Sequence, residues 1–151
     1  MAGVRFVGRT TSAVQTGTSR KTVYQVVAAS NHRDHVHRIA VTFADGVDPT
    51  DTPVLVEFII QSDAGSGSTA DNPAKIRTAD DETLQTTAIR NCTSLPTNTR
   101  VLHNETVIPY GSYEWTWSRA EPLVIGGGER LGVTITSGVD YAVRVTVEGE
   151  E

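Results

Sequence analysis

The sequence is short of the residues that build helical domains, metal cages and cationic surfaces. Cysteine occurs once, at Cys92, which excludes an intrachain disulfide and a cysteine-rich zinc site. Leucine occurs 6 times and methionine once, too few for the seams of a helical bundle or coiled coil. Only 9 aromatics are present (2 Trp, 4 Tyr, 3 Phe), so the few large rings are expected to be spent on a core. No apolar run approaches the ~20 residues of a membrane-spanning helix. Met1–Arg5 lacks the apolar stretch of a secretory signal, so synthesis in a cytoplasm is expected. The net charge of -5 does not supply the excess cations with which a general nucleic-acid binder neutralises phosphates.

What is present in quantity is the β-branched side chain. Val (19), Ile (8) and Thr (21) make up about a third of the chain. These residues lose rotamer freedom in helices and pack well on pleated surfaces. The 13 basic residues are 11 Arg and 2 Lys. Arginine is planar, weakly hydrated and a multiple donor, which suits contact surfaces, although GC-rich codon usage produces the same bias.

Alternation places the strands. Tyr24 to Ala29 is apolar on both sides, as in a strand that is central or covered by a partner. His35, His37, Ile39, Val41 and Phe43 are predicted to share one strand face, with Val36, Arg38, Ala40 and Thr42 on the other. Val54, Val56, Phe58 and Ile60 form the next apolar face. Residues 62–83 break the pattern with a Gly/Ser-rich stretch and an acidic cluster at Asp80–Glu82, and 91–99 also looks loop-like. Alternation returns at Tyr113, Trp115 and Trp117, at Leu131, Val133 and Ile135, and at Tyr141, Val143, Val145 and Val147. Gly126-Gly127-Gly128 is expected to mark a hairpin corner. The expected fold is all-β: an antiparallel sandwich, a jelly roll of about eight strands spanning 19–151. Residues 1–18, rich in Thr, Ser and Gly, are expected to be an extended N-terminal arm that orders on a neighbour through Val4, Arg5, Phe6, Val7 and Arg9.

Few residues suggest chemistry. His35 and His37 stand ~6.6 Å apart along one strand, a spacing that can chelate a metal on a cupin-like barrel. The glutamate expected four or five residues on is replaced by Val41 and Thr42, and Glu114 stands where a second-motif histidine belongs. A cupin-like metal-binding enzyme on His35, His37 and Glu114 is therefore a minor alternative. Asp45, Asp48 and Asp51 lack EF-hand spacing and serve a turn equally well. Cys92 has no base placed by sequence, and no Gly-x-Ser-x-Gly elbow occurs. No catalytic set and no cofactor are expected. An aromatic strip at Tyr113, Trp115 and Trp117 is either core or a sugar-stacking surface, which would make the chain a tail-associated or carbohydrate-binding adsorption module.

Three segments carry a likeness. Ser19–Asn31, Pro53–Glu57 and Gly126–Val133 resemble segments of small β-rich virion accessory proteins of tailed bacteriophages, the likeness running from about residue 19 to 147. It implies a non-enzymatic head decoration (cement) protein, a homotrimer bound to the major capsid protein on the outer surface of the virion. It implies no catalytic residues. Arg33, Arg38 and Arg144 are expected to supply interfacial ion pairs.

Overall fold

Strands alternate inward and outward with period two, so a β-branched strand that faces a core must find a second sheet to cover it. The computed structural model, which describes residues 3–43, 52–79 and 81–151, is all-β with two antiparallel sheets around one core. The first sheet runs β10 (Ser112–Thr116), β4 (Asp34–Phe43), β13 (Ala142–Glu150), β1 (Arg5–Arg9) and β7 (Ala74–Lys75). In the same sheet β11 (Leu123–Ile125) also pairs with β4, and β2 (Val14–Gln15) with β13. The second sheet runs β6 (Thr69–Ala70), β8 (Thr87–Arg90), β3 (Lys21–Val27), β12 (Arg130–Thr136), β5 (Val54–Gln61) and β9 (Asn98–Val107). The calcium-type turn Asp45, Asp48, Asp51 lies outside the described residues.

The inner faces are those that alternation predicts for β5, β12 and β13. Val56 and Phe58 of β5, Leu131, Val133 and Ile135 of β12, and Val143 and Val147 of β13 are all fully buried. Each such side chain contributes roughly 1.5–3 kcal/mol of transfer free energy.

β4 departs from the expected alternation. Its pairing with β13 slips between Glu148 and Gly149: Glu148 faces Arg38, but Gly149 faces Val36. One extra residue, His37, is accommodated as a β-bulge, and a bulge shifts the phase of everything beyond it. Val36, Ile39, Val41 and Phe43 therefore all face the core, while His35 is exposed. The predicted grouping of the two histidines with Ile39, Val41 and Phe43 is corrected accordingly.

The strands number thirteen among the described residues rather than about eight. Five of them (β2, β6, β7, β8 and β11) are only 2–4 residues long and extend or flank the longer ladders. β6 and β7 lie inside the stretch expected to be a loop. β9 carries Asn98, Thr99, Arg100, Asn104, Glu105 and Thr106, polar on both faces, and so shows no apolar alternation. It is an edge strand, which tolerates polar residues on both sides, and two register slips against β5 blunt its free edge.

The arm boundary also differs from expectation. β1 is hydrogen-bonded on both sides, to β13 and to β7, and Val4 and Phe6 are buried in the chain's own core. A segment too polar to pack on itself is stabilised here because two neighbours complete its backbone hydrogen bonds and one ring anchors it. The glycine triplet does turn, with Gly128 at φ +80, but not as the expected hairpin corner: it carries the chain from β11 in the first sheet to β12 in the second, so the two strands do not pair. Gly127 passes so close to Ser30 and His32 that a Cβ would lie 2.6 Å from a carbonyl oxygen.

Candidate functional site

The two sheets present very different outer faces. On the second sheet, Thr22, Gln25, Ile59, Gln61 and Thr134 point away from the core, yet each is at most 1% exposed. They are joined by a polar network. Gln25 Nε2 donates to Gln61 Oε1 at 2.7 Å, and Gln61 Nε2 donates to Thr22 Oγ1 at 2.8 Å and to Asn98 Oδ1 at 2.9 Å. The Thr22 and Thr134 hydroxyls meet at 3.0 Å. Gly132 lies beneath the Gln61 amide, where any Cβ would collide with it. The chain's own loops lie over this network. Gln25 Nε2 also donates to the Asp63 carbonyl at 2.9 Å, and the Cys92 thiol lies 3.4 Å from the Ala64 carbonyl. Burial pushes the Cys92 thiol up to about 11, so it is not a thiolate nucleophile near neutrality. The second apolar side of β3 is thus covered from within the chain.

Among the described residues, the outer face of the first sheet has no such cover. The predicted contact residues Arg5, Val7 and Arg9 on β1, Arg38 on β4 and Arg144 on β13 all point outward there, with Arg5, Arg9 and Arg144 exposed. The strand register sets Arg9 beside Thr146 and Glu148 beside both Val7 and Arg38. Arg38 is engaged within the chain: its Nε reaches Glu114 and its Nη1 reaches Glu148, both at 2.7 Å. With these partners a third to a half exposed, the triad adds little stability and mainly fixes the Arg38 side chain. Arg9 and Arg144 flank a hollow of about 340 Å³ that Thr10, Thr11 and Thr146 also line. Of the remaining predicted contacts, Val4 and Phe6 turn inward, and Arg33 is exposed in the connection between β3 and β4.

The metal candidates are not brought together. Glu114 lies on β10 opposite Ala40, bound to Arg38, while His35 lies opposite Val124 and Glu150. Desolvation lowers the His37 pKa, with Arg119, His35 and Arg5 adding to it and Glu150 opposing. No group of three His, Cys, Asp or Glu able to hold a metal ion occurs among the described residues.

The aromatic strip is the open end of the core. Trp115 and Trp117 both meet Phe58 edge-on, at 5.1 and 5.9 Å between centroids, and His103 stacks on the same ring at 5.5 Å. The Trp115 indole N–H is satisfied by Glu105 at 2.7 Å, a bond that also holds that carboxylate below its ordinary pKa. The three rings of the strip are only partly buried but are packed against the core, as an interior role requires.

Sequence reasoning missed one constellation. Asp34, Thr86 and Glu151 converge at one end of the sandwich although 52 and 65 residues separate Thr86 from its two partners. Nothing local announces it, because a threonine before a strand and an acidic residue after one are ordinary. Comparison of the chain with protein-family models, with curated proteins and with solved structures yields no match.

Proposed function

We propose that this chain is a non-enzymatic virion accessory protein with a jelly-roll fold, a head decoration protein that binds the major capsid protein as a homotrimer on the outer shell of a tailed phage. The strand order supports the jelly roll. Eight strands taken in chain order (β1, β3, β4, β5, β9, β10, β12, β13) form two four-strand ladders, β1-β13-β4-β10 and β3-β12-β5-β9. This pairing, with the first and last strands as neighbours, is the one that the jelly-roll reading calls for. The phage setting rests on the resemblance of residues 19–147.

The observation that carries the assembly role is the asymmetry of the two outer faces. Among the described residues, one sheet is covered by the chain's own loops while arginines of two strands, Arg5 and Arg9 of β1 and Arg144 of β13, stand exposed on the other, an asymmetry that suits a partner met with one face. Arginine is the cation most used at such contacts. Shell binding would stabilise the capsid by mass action.

The test is co-sedimentation with purified shells stripped of accessory protein. Wild-type chain should bind saturably, in copy numbers that are multiples of the trimer. Reversing Arg9 and Arg144 to Glu should weaken binding by tenfold or more, the equivalent of roughly 1.4 kcal/mol, with unchanged thermal unfolding. Undiminished saturation by that variant would refute the assignment of this face. Absence of any shell binding by the wild type would refute the decoration role.

A further inference from the structure

Thr86 stands immediately before β8, and its hydroxyl is surrounded by carboxylate oxygens. Thr86 Oγ1 lies 3.0 Å from Asp34 Oδ1, 3.0 Å from Asp34 Oδ2 and 2.8 Å from Glu151 Oε2. A hydroxyl carries one proton. It can donate to one carboxyl group, and its contact with the other then needs a proton from elsewhere. Glu151 Oε2 already accepts the backbone N–H groups of Gln85 at 2.8 Å and Thr86 at 2.7 Å, so it is the natural anion of the pair. The Asp34 carboxyl is fully buried and meets no other donor among the described residues, which leaves it as the group that must bring the proton.

We propose that Asp34, Thr86 and Glu151 form a proton-fastened clasp: Asp34 donates a resident proton to Thr86 Oγ1, Thr86 donates to Glu151, and removal of that proton loosens residues 85–86 and 151 from the start of β4. In the protonated chain, one donor serves the contact of Thr86 with each of the two carboxyl groups. The ionised chain has two anions and a single hydroxyl proton between them.

The surroundings are consistent with a retained proton. Burial pushes the Asp34 carboxyl up from 3.8 to about 6; Glu151 pushes the same way, while the Thr86 hydrogen bond and His32 oppose. The groups that face the clasp come from several elements. His32, before β4, meets the Gln85 amide at 2.9 Å, and Glu82 lines the adjoining hollow with Val4, Thr83 and Glu151. Ile125 of β11, paired with Asp34, brings no charge. The clasp joins three parts of the chain that are distant in sequence, and Glu151 is further tied to Val4 through its backbone N–H. Its release would free one end of the sandwich without touching the core.

The experiment is amide hydrogen exchange of Gln85 and Thr86 followed by NMR across the range from about pH 5 to about pH 8, corrected for intrinsic exchange. In wild type, protection of these two amides should fall by roughly tenfold or more as pH rises through about 6. Asp34→Asn supplies an uncharged donor to Thr86 and should hold protection constant across the range. A wild-type protein without the transition, or an Asn variant that retains it, overturns the clasp. Carbon-13 titration of the Asp34 carboxyl in the wild-type chain tests the same proton independently, even if the variant does not fold. An apparent pKa near 6 supports the proposal, and one at or below the ordinary aspartate value overturns it.

Discussion

Replacing Phe6 with alanine tests whether the N-terminal segment belongs to the folding unit. The Phe6 side chain is fully buried, and β1 is hydrogen-bonded to strands on both sides. Its ring packs over Gly149, the residue opposite it on β13, where a Cβ would come within 2.8 Å of the ring. The glycine makes room for the ring, so truncation leaves a void that the two neighbouring backbones cannot close. A buried Phe→Ala change costs about 3–5 kcal/mol, transfer and cavity terms together. Against a total stability of about 5–15 kcal/mol that is a large fraction. With an m-value of about 2 kcal/mol per molar urea, the midpoint should fall by roughly 2 M at constant m. Arg9→Ala, three residues away on the outer face, should stay within about 0.5 kcal/mol of wild type. Removal of residues 1–18 should abolish cooperative unfolding, because it deletes β1 and β2 and bares the edge of β13. If Phe6→Ala shifts the midpoint by less than about 0.3 M, or if the truncated chain unfolds as cooperatively as the whole, β1 is a dispensable arm and the reasoning fails.

Other outcomes follow from the same geometry. Gly132→Ala should cost roughly 1–3 kcal/mol in thermal unfolding, because its Cβ displaces the Gln61 amide and leaves buried polar partners of Gln25 and Thr22 unmet. Phe58→Ala should cost about 3–5 kcal/mol and, by unseating Trp115 and Trp117, shift tryptophan emission to the red and raise acrylamide quenching; unchanged emission would contradict the packed aromatic end. Arg38→Met should change stability by less than about 1 kcal/mol, since its carboxylate partners remain solvated. Asp34→Asn tests pH linkage. The folded-state pKa lies above the unfolded one, so the stability that the proton confers is fully present below about pH 4 and is lost as pH rises through about 6. The interval between 3.8 and about 6 corresponds to roughly 3 kcal/mol, so above pH 6 the Asn variant should be the more stable protein by up to that amount; equal stability at about pH 8 would contradict the buried charge.

Composition and alternation were enough to specify the class of fold and most of its inner surface. An excess of Val, Ile and Thr with period-two alternation has one low-energy outcome, strands with a buried face, and Val54 to Ile60, Leu131 to Ile135 and Val143 to Val147 occupy that face. The outward-pointing Arg38 of β4 and Arg144 of β13 were legible for the same reason. Features that depend on neighbours distant in the chain were not legible. β9 lacks alternation because an edge strand needs none, β1 is a strand only because β13 and β7 flank it, and the phase of β4 turns on a bulge set by its pairing with β13. The covered face of β3 belonged to the chain's own loops, which composition alone could not distinguish from a partner. Asp34, Thr86 and Glu151 meet only because three backbone segments come to the same corner of the sandwich, and burial there pushes the Asp34 carboxyl up. Side-chain periodicity is written into each strand, whereas register, edges and buried charge are properties of the assembled sheets.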